Sequence, residues 1–188
     1  MIETERLILR QFTESDADDL LEYLGEPAVN CFVCMKLGSR EEAAEEIARR
    51  RDDELWFAIV LKESGKVIGE IFAHPENFAP EDDTADTYSP CWMLNLKYSG
   101  KGYAYEAAHA LFEHLFSEKG ARRLYAYTED YNLSSQHLCE KLGMRREGLF
   151  LDFVSFVKDA DGEPIYENTM QYAILKKEWE AQKKKRGE

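Results

Sequence analysis

The chain has 188 residues, of which 44% are hydrophobic and 12% aromatic, and its 37 acidic and 24 basic side chains give a formal net charge of −13. That length suits one domain with a real core. The apolar content excludes a disordered chain, and the negative charge argues against nucleic acid as a partner, because a phosphate backbone requires a basic face. An amine-bearing substrate suits such a field. No apolar run approaches the roughly 20 residues of a membrane span, and the opening MIETERLILRQF lacks the layout of a signal peptide. The expectation is a cytoplasmic protein with no membrane partner. Cys31, Cys34, Cys91 and Cys139 read as reduced thiols, and the single Cys-x-x-Cys of Cys31 and Cys34 lacks a second pair to complete a zinc site. No metal is expected.

Residues 4–10 set Leu7 and Leu9 against Arg6 and Ile8 and read as a strand. Thr13-Glu14-Ser15-Asp16 resembles a capping box, opening a helix with Ala17, Leu20, Leu21 and Leu24 inward and Gly25-Glu26-Pro27 at its end. Residues 28–38 carry no clear period. Ser39-Arg40-Glu41-Glu42 is a second capping box, before a helix with Ala43, Ala44, Ile47 and Ala48 on one face. Residues 56–61 and 67–73 are strands joined by the short hairpin loop 62–66. The acidic stretch 75–86 lacks the alternating acids and inner glycine of a calcium loop and reads as a mobile surface loop. Residues 87–94 form a strand in which Pro90 predicts a bulge or local break.

The stretch 91–117 carries the most information. It predicts a strand, a tight turn at Ser99-Gly100-Lys101-Gly102-Tyr103-Ala104, and a helix. The helix has Ala104, Ala107, Ala108, Leu111 and Leu115 on one face, and Glu106, His109 and Glu113 on the other. Two glycines at a strand-to-helix junction let the backbone turn sharply and let a ligand approach. The unpaired N–H groups and dipole of the helix start suit phosphate or pyrophosphate. Gly120 stops the helix and residues 122–128 form the next strand, which makes a parallel βαβ unit. A helix over 132–142 follows, with Leu138 and Leu142 inward and Gly143 at its end, then strands over 145–157 and 167–175 around an Asp161-Gly162 turn. The order β-α-α-β-β-β-α-β-α-β-β defines a single mixed α/β domain over residues 1–180, with 181–188 as a solvated, frayed basic tail.

No Walker A loop occurs, and Tyr105 stands where a dinucleotide fingerprint needs its third glycine. The arrangement instead resembles the GNAT superfamily of N-acetyltransferases, most like its ribosomal-protein-acetylating branch, the RimJ and RimL type. The turn 99–104 is similar to that family's Gln/Arg-x-x-Gly-x-Gly/Ala, with Ser99 as a departure. Gly102-Tyr103-Ala104-Tyr105-Glu106-Ala107 resembles the branch's helix start. Asn132, Ser135, Glu140-Lys141-Leu142-Gly143-Met144 and Glu147-Gly148 resemble a second block. Glu5-Arg6-Leu7-Ile8-Leu9-Arg10 resembles the first strand, and Tyr172-Ala173-Ile174-Leu175 with Glu178-Trp179 the last. The likeness covers roughly residues 2–180.

The resemblance implies direct transfer of acetyl from acetyl-CoA to an amine-bearing acceptor, either a protein N-terminus or a small molecule. It places the pyrophosphate on Ser99, Gly100, Lys101, Gly102, Tyr103 and Ala104, the thioester oxygen on a backbone N–H at Met93 or Leu94, and a cofactor hydrogen bond on Asn132. For the acid that protonates the leaving thiolate it offers Ser135, which also touches cofactor, and Cys139, where many members carry Tyr. For the base, relatives use a Glu where this chain has Ser89 or Cys91, so Glu70 on the neighbouring strand is the nearest candidate and a water relay the alternative. The resemblance is also compatible with a homodimer. A non-catalytic acetyl-CoA-binding module and a nucleotide-binding protein stand as competing readings.

Overall fold

The β-branched and aromatic runs of the sequence become the strands of a mixed sheet. The computed structural model describes residues 1–77 and 85–187. Its strands are β1 (Ile2–Glu3), β2 (Leu7–Arg10), β3 (Trp56–Leu61), β4 (Val67–Glu76), β5 (Thr87–Leu94), β6 (Arg123–Glu129), β7 (Arg145–Lys158) and β8 (Pro164–Leu175). The helices are α1 (Ala17–Leu24), α2 (Arg40–Arg50), α3 (Tyr103–Ser117), α4 (Leu133–Lys141) and α5 (Lys176–Arg186). The sheet order is β1-β2-β3-β4-β5-β6-β8-β7. β5 and β6 are parallel, as the predicted crossover through α3 requires, while β1 to β4 pair antiparallel in sequence and β6 pairs antiparallel with β8.

Two compact units are distinguished: Met1–Phe72 with Trp92–Ala110 and Ser155–Ile165, and Ala73–Cys91 with Leu111–Val154 and Tyr166–Glu188. In the first, α1 and α2 bury Ala17, Leu20, Leu24, Ala43 and Ile47 in one cluster with Ala58, Val60 and Val67 of the strands. In the second, Leu111, Phe112, Leu115 and Phe116 of α3, Leu124 and Ala126 of β6 and Leu138 of α4 are buried.

Several elements depart from expectation, each for a local reason. Residues 4–10 are not one strand, because Thr4 turns the chain between β1 and β2: its N–H donates to the Leu7 carbonyl at 3.0 Å, and its hydroxyl accepts the Leu7 N–H at 2.9 Å. The Ser39 box is half-formed. Ser39 Oγ accepts the Glu42 N–H, but the Glu42 carboxylate accepts the N–H of Gly38 instead of that of Ser39. In α2 the inward register is Ala43, Ile47 and Arg50, with Ala48 exposed. β4 extends through Pro75 to Glu76, and β5 runs unbroken through Pro90. Most of the acidic stretch, residues 78–84, lies outside the described residues. At its flanks, Glu76 accepts the Tyr125 hydroxyl and Asp86 pairs with Arg122 at 2.6 Å. The basic run expected as a frayed tail is the last turn of α5. Trp179 anchors that helix: it is buried, lies against Phe112 and Phe116, and donates to Glu113 at 2.9 Å.

α1 is tied to the segment after β5 through Glu22, whose carboxylate receives Lys66 at 2.8 Å, Lys97 at 2.7 Å and Asn95 at 3.1 Å. The hydrogen bonds from Lys66, Lys97 and Asn95 hold the carboxyl down to about 2. A folded-state value below the unfolded one adds stability that is complete above the ordinary carboxylate range and vanishes as pH falls through the folded value. Glu22→Gln is therefore expected to cost about 1 kcal/mol at pH 7, discounted for solvent screening. The gap between variant and wild type in thermal unfolding should close as pH falls from about 5 to about 2.

Candidate functional site

β5 delivers the chain into a built corner of the first unit. The Asn95 N–H donates to the Ile68 carbonyl at 2.8 Å, and its side-chain oxygen caps the following short turn by accepting the Lys97 N–H at 3.1 Å. Gly69 lets the strands close up at this level: a Cβ there would lie 2.3 Å from the Met93 carbonyl oxygen and 2.9 Å from Leu94 Cα. Met93 is buried and Leu94 half-buried. The parallel pairing of β5 with β6 joins Thr87 to Arg123 and Tyr88 to Leu124, ahead of Pro90, which has no N–H to donate.

The turn itself is exposed from Ser99 to Gly102 and half-buried at Tyr103 and Ala104. Gly100 and Gly102 have φ of 74° and 83°, a region where an L side chain is strained. The Gly102 carbonyl accepts the Glu106 N–H at 3.1 Å and so starts α3. Having no side chain, Gly102 cannot cap the helix, which leaves first-turn N–H groups facing the turn at the positive end of the dipole. Backbone arranged in this way is suited to an anion. The Lys101 ammonium stands over the Tyr98 ring at 5.4 Å.

In the second unit, Asn132 caps α4 by accepting the Ser135 N–H at 3.2 Å and donates to Glu129 at 3.3 Å. Gln136 donates to the carbonyls of Glu129 and Asp130 at 3.2 and 2.9 Å, which fixes the helix start. Ser135 is half-buried in the first turn, and Cys139, one helical turn on, is fully buried. Burial pushes the Cys139 thiol up to about 12.

Glu70 lies on β4 opposite Ala58, with no exposed surface. It accepts the Tyr23 hydroxyl at 3.2 Å and forms an ion pair with Arg50. Burial pushes its carboxyl up, and the Arg50 charge pulls it back. Arg50 is itself buried, donates to Glu46 at 3.1 Å, and has the Trp56 ring 4.9 Å and the Phe12 ring 5.8 Å from its guanidinium carbon. A general base must reach the substrate proton and pass it on to water. The geometry instead makes Glu70 the counter-ion of Arg50.

The first unit thus holds Met93, Leu94, the turn and Glu70, and the second holds Asn132, Ser135 and Cys139. Arg50 had a signal in the sequence, since positions 43, 47 and 50 share one helical face. Glu106, expected on the face of α3 opposite Ala104, Ala107 and Leu111, is bound by Thr4 and Arg6. Among the described residues, no group of three or more His, Cys, Asp or Glu is placed to hold a metal ion.

Residues 6–145 match the Acetyltransferase (GNAT) domain family. YnaD of Bacillus subtilis (strain 168), an uncharacterized N-acetyltransferase, is 30% identical over 179 residues, covering 95% of this chain and 98% of its own. The structure of a GNAT-family acetyltransferase from Bacillus anthracis superposes with a TM-score of 0.80 at 29% identity, covering 94% of this chain and 99% of that one. A spermidine N-acetyltransferase chimera of Vibrio cholerae SpeG and hSSAT shares the fold, with a TM-score of 0.71 at 18% identity over 93% of this chain and 98% of that one.

Breaking the Arg50–Glu70 pair strands a buried charge. Glu70→Gln is expected to cost about 3–5 kcal/mol in urea unfolding, and Glu70→Gln combined with Arg50→Met less than Glu70→Gln alone. Additive losses in that double-mutant cycle would rule out the pair as a coupled unit.

Proposed function

The chain belongs to the GNAT acetyltransferase family, and on that premise we propose that it transfers acetyl from acetyl-CoA to a primary amine by direct attack, in the cytoplasm. One observation carries the donor assignment: the exposed turn 99–102 with two positive-φ glycines opening α3, which suits a pyrophosphate seated on backbone N–H groups. Ser99, Gly100, Lys101, Gly102, Tyr103 and Ala104 form this cradle. The neutral amine adds to the thioester carbon, and the oxyanion that develops takes a hydrogen bond from a backbone N–H at Met93 or Leu94. The carbon–sulfur bond then breaks, and the thiolate leaves with a proton from Ser135.

Ser135 suits the acid role better than Cys139, because it is half-buried at a helix start while Cys139 is sealed in the core. Asn132 orients the first turn of α4 through its bond to the Ser135 N–H and offers its amide to the cofactor. With Glu70 committed to Arg50, the amine proton leaves through water. The acceptor is a primary amine, on a protein N-terminus, a ribosomal one included, or on a small molecule. Enclosure of Glu70 is also what favours the second reading, a module that binds acetyl-CoA without turning it over.

Thermal unfolding with acetyl-CoA, ATP and NAD separates these readings. A ligand at ~100 times its dissociation constant adds about 2.7 kcal/mol, and acetyl-CoA alone is expected to give that shift, with free thiol released once an amine is supplied. A shift without thiol release from any amine would leave the binding module. Gly100→Ala should cost about 1–2 kcal/mol of backbone strain and weaken acetyl-CoA binding. Gly65→Ala is the matched control, since Gly65 has φ of 70° and, like Gly100, nothing within 4 Å of an added Cβ. It should show the strain without the binding loss. Ser135→Ala is expected to lower kcat about a hundredfold, against less than about twofold for Cys139→Ala, whose buried thiol takes no part.

A further inference from the structure

A turn with glycines at 100 and 102 has no shape of its own, because glycine is the least restrained residue. Its shape comes from the other end of the first unit. The Arg6 guanidinium donates through Nε to Glu106 Oε2 at 2.7 Å, pairs through Nη2 with the same oxygen at 2.6 Å, and donates through Nη1 to the Lys101 carbonyl at 3.0 Å. Its carbon lies 4.5 Å from the Tyr103 ring centroid, and a Cβ on Gly102 would lie 3.4 Å from its Nη2. Glu106 is fixed in turn: Oε1 receives the Thr4 hydroxyl at 2.6 Å and the Arg6 N–H at 2.7 Å. Burial pushes the Glu106 carboxyl up, but the bonds from Thr4 and Arg6 outweigh it and hold it below the ordinary range, so the acceptor stays charged.

The Lys101 carbonyl belongs to the peptide joining Lys101 to Gly102, and that peptide is trans. In a planar trans peptide the carbonyl and the following N–H point in opposite directions. Holding the carbonyl against Arg6 therefore turns the Gly102 N–H to the opposite side. The same guanidinium neutralises Glu106, which would otherwise place a bare carboxylate in the first turn of α3 beside an anion site.

We propose that Arg6 is the positioning residue of the cofactor turn: clamped by Glu106 and Thr4, it fixes the 101–102 peptide so that the turn meets pyrophosphate with its N–H groups already aimed. This rests on the reading that the turn takes the pyrophosphate of acetyl-CoA. The work is done by a fork geometry in addition to charge, so lysine cannot replace it.

The test is calorimetric titration of the full chain with acetyl-CoA and with S-acetylpantetheine, which keeps the thioester arm and lacks the pyrophosphate. Arg6→Met is expected to raise the acetyl-CoA Kd about tenfold to a hundredfold and to leave S-acetylpantetheine within about twofold. Arg6→Lys should recover little of the loss. Arg40→Met, which removes an exposed pair with Asp18 in the same unit, should change neither. Unchanged acetyl-CoA affinity in Arg6→Met, equal losses for both donors, or full recovery by Arg6→Lys would each overturn the proposal. Should Arg6→Met fail to fold, Glu106→Gln decides. It frees the guanidinium while removing a negative charge, so weaker acetyl-CoA binding supports positioning and equal or tighter binding overturns it. If the wild type does not bind acetyl-CoA, the reading of the turn falls and this inference with it. Wild-type binding with an indifferent Arg6→Met sinks this inference alone.

Discussion

A backbone cradle binds an anion well only if its peptide planes are oriented before the anion arrives, since ordering them at the moment of binding consumes affinity. In this chain the proposed cradle has two residues with positive φ and is exposed along most of its length. Its order is supplied from a distance. Upstream, Asn95 is hydrogen-bonded to Ile68 and to Glu22, and Gly69 admits the Met93 carbonyl closer than any side chain would allow. Downstream, Arg6 and Thr4 grip Glu106 and the Lys101 carbonyl. A substitution at Thr4, between β1 and β2, or at Glu22 in α1 can therefore reach the turn without touching it.

The same logic explains where the first unit places its buried charge. Arg50 and Glu70 lie wholly inside, with Tyr23 and Glu46 as further partners. A buried ion pair is weak evidence of stability, because desolvation offsets attraction. What it does enforce is register. Arg50 must meet Glu70, so α2 has one rotational setting over β4. Among the described residues Arg50 Nη2 has no hydrogen-bond partner, consistent with a pair kept for specificity more than for energy.

Much of this was legible in the sequence. The strand cores, the parallel crossover through α3 and the glycine turn follow from period and punctuation, which are local properties. Residues that act across long separations were not legible. Arg6 and Glu106 each read as part of its own element and motif, and only the fold shows that the opening motif and the helix-start motif are two halves of one contact. α5 was missed because one tryptophan anchors a segment otherwise rich in Lys and Glu, and a single anchor makes no period. Glu70 was legible as a strand carboxylate but not as a counter-ion, since Arg50 sits 20 positions upstream on another element.

Charge then sets the character of the chemistry. A chain of net charge −13 attracts a protonated amine and, by the same field, stabilises it as the ammonium ion, which cannot attack a thioester. The proposed donor, acetyl-CoA, carries phosphates that this field repels. An acidic acetyltransferase therefore has to solve donor binding locally, and the proposed site, backbone N–H groups at a helix start, does so without adding basic side chains that would repel the acceptor. Arg6 fits that solution: its charge is spent on Glu106, so what it contributes to the turn is orientation.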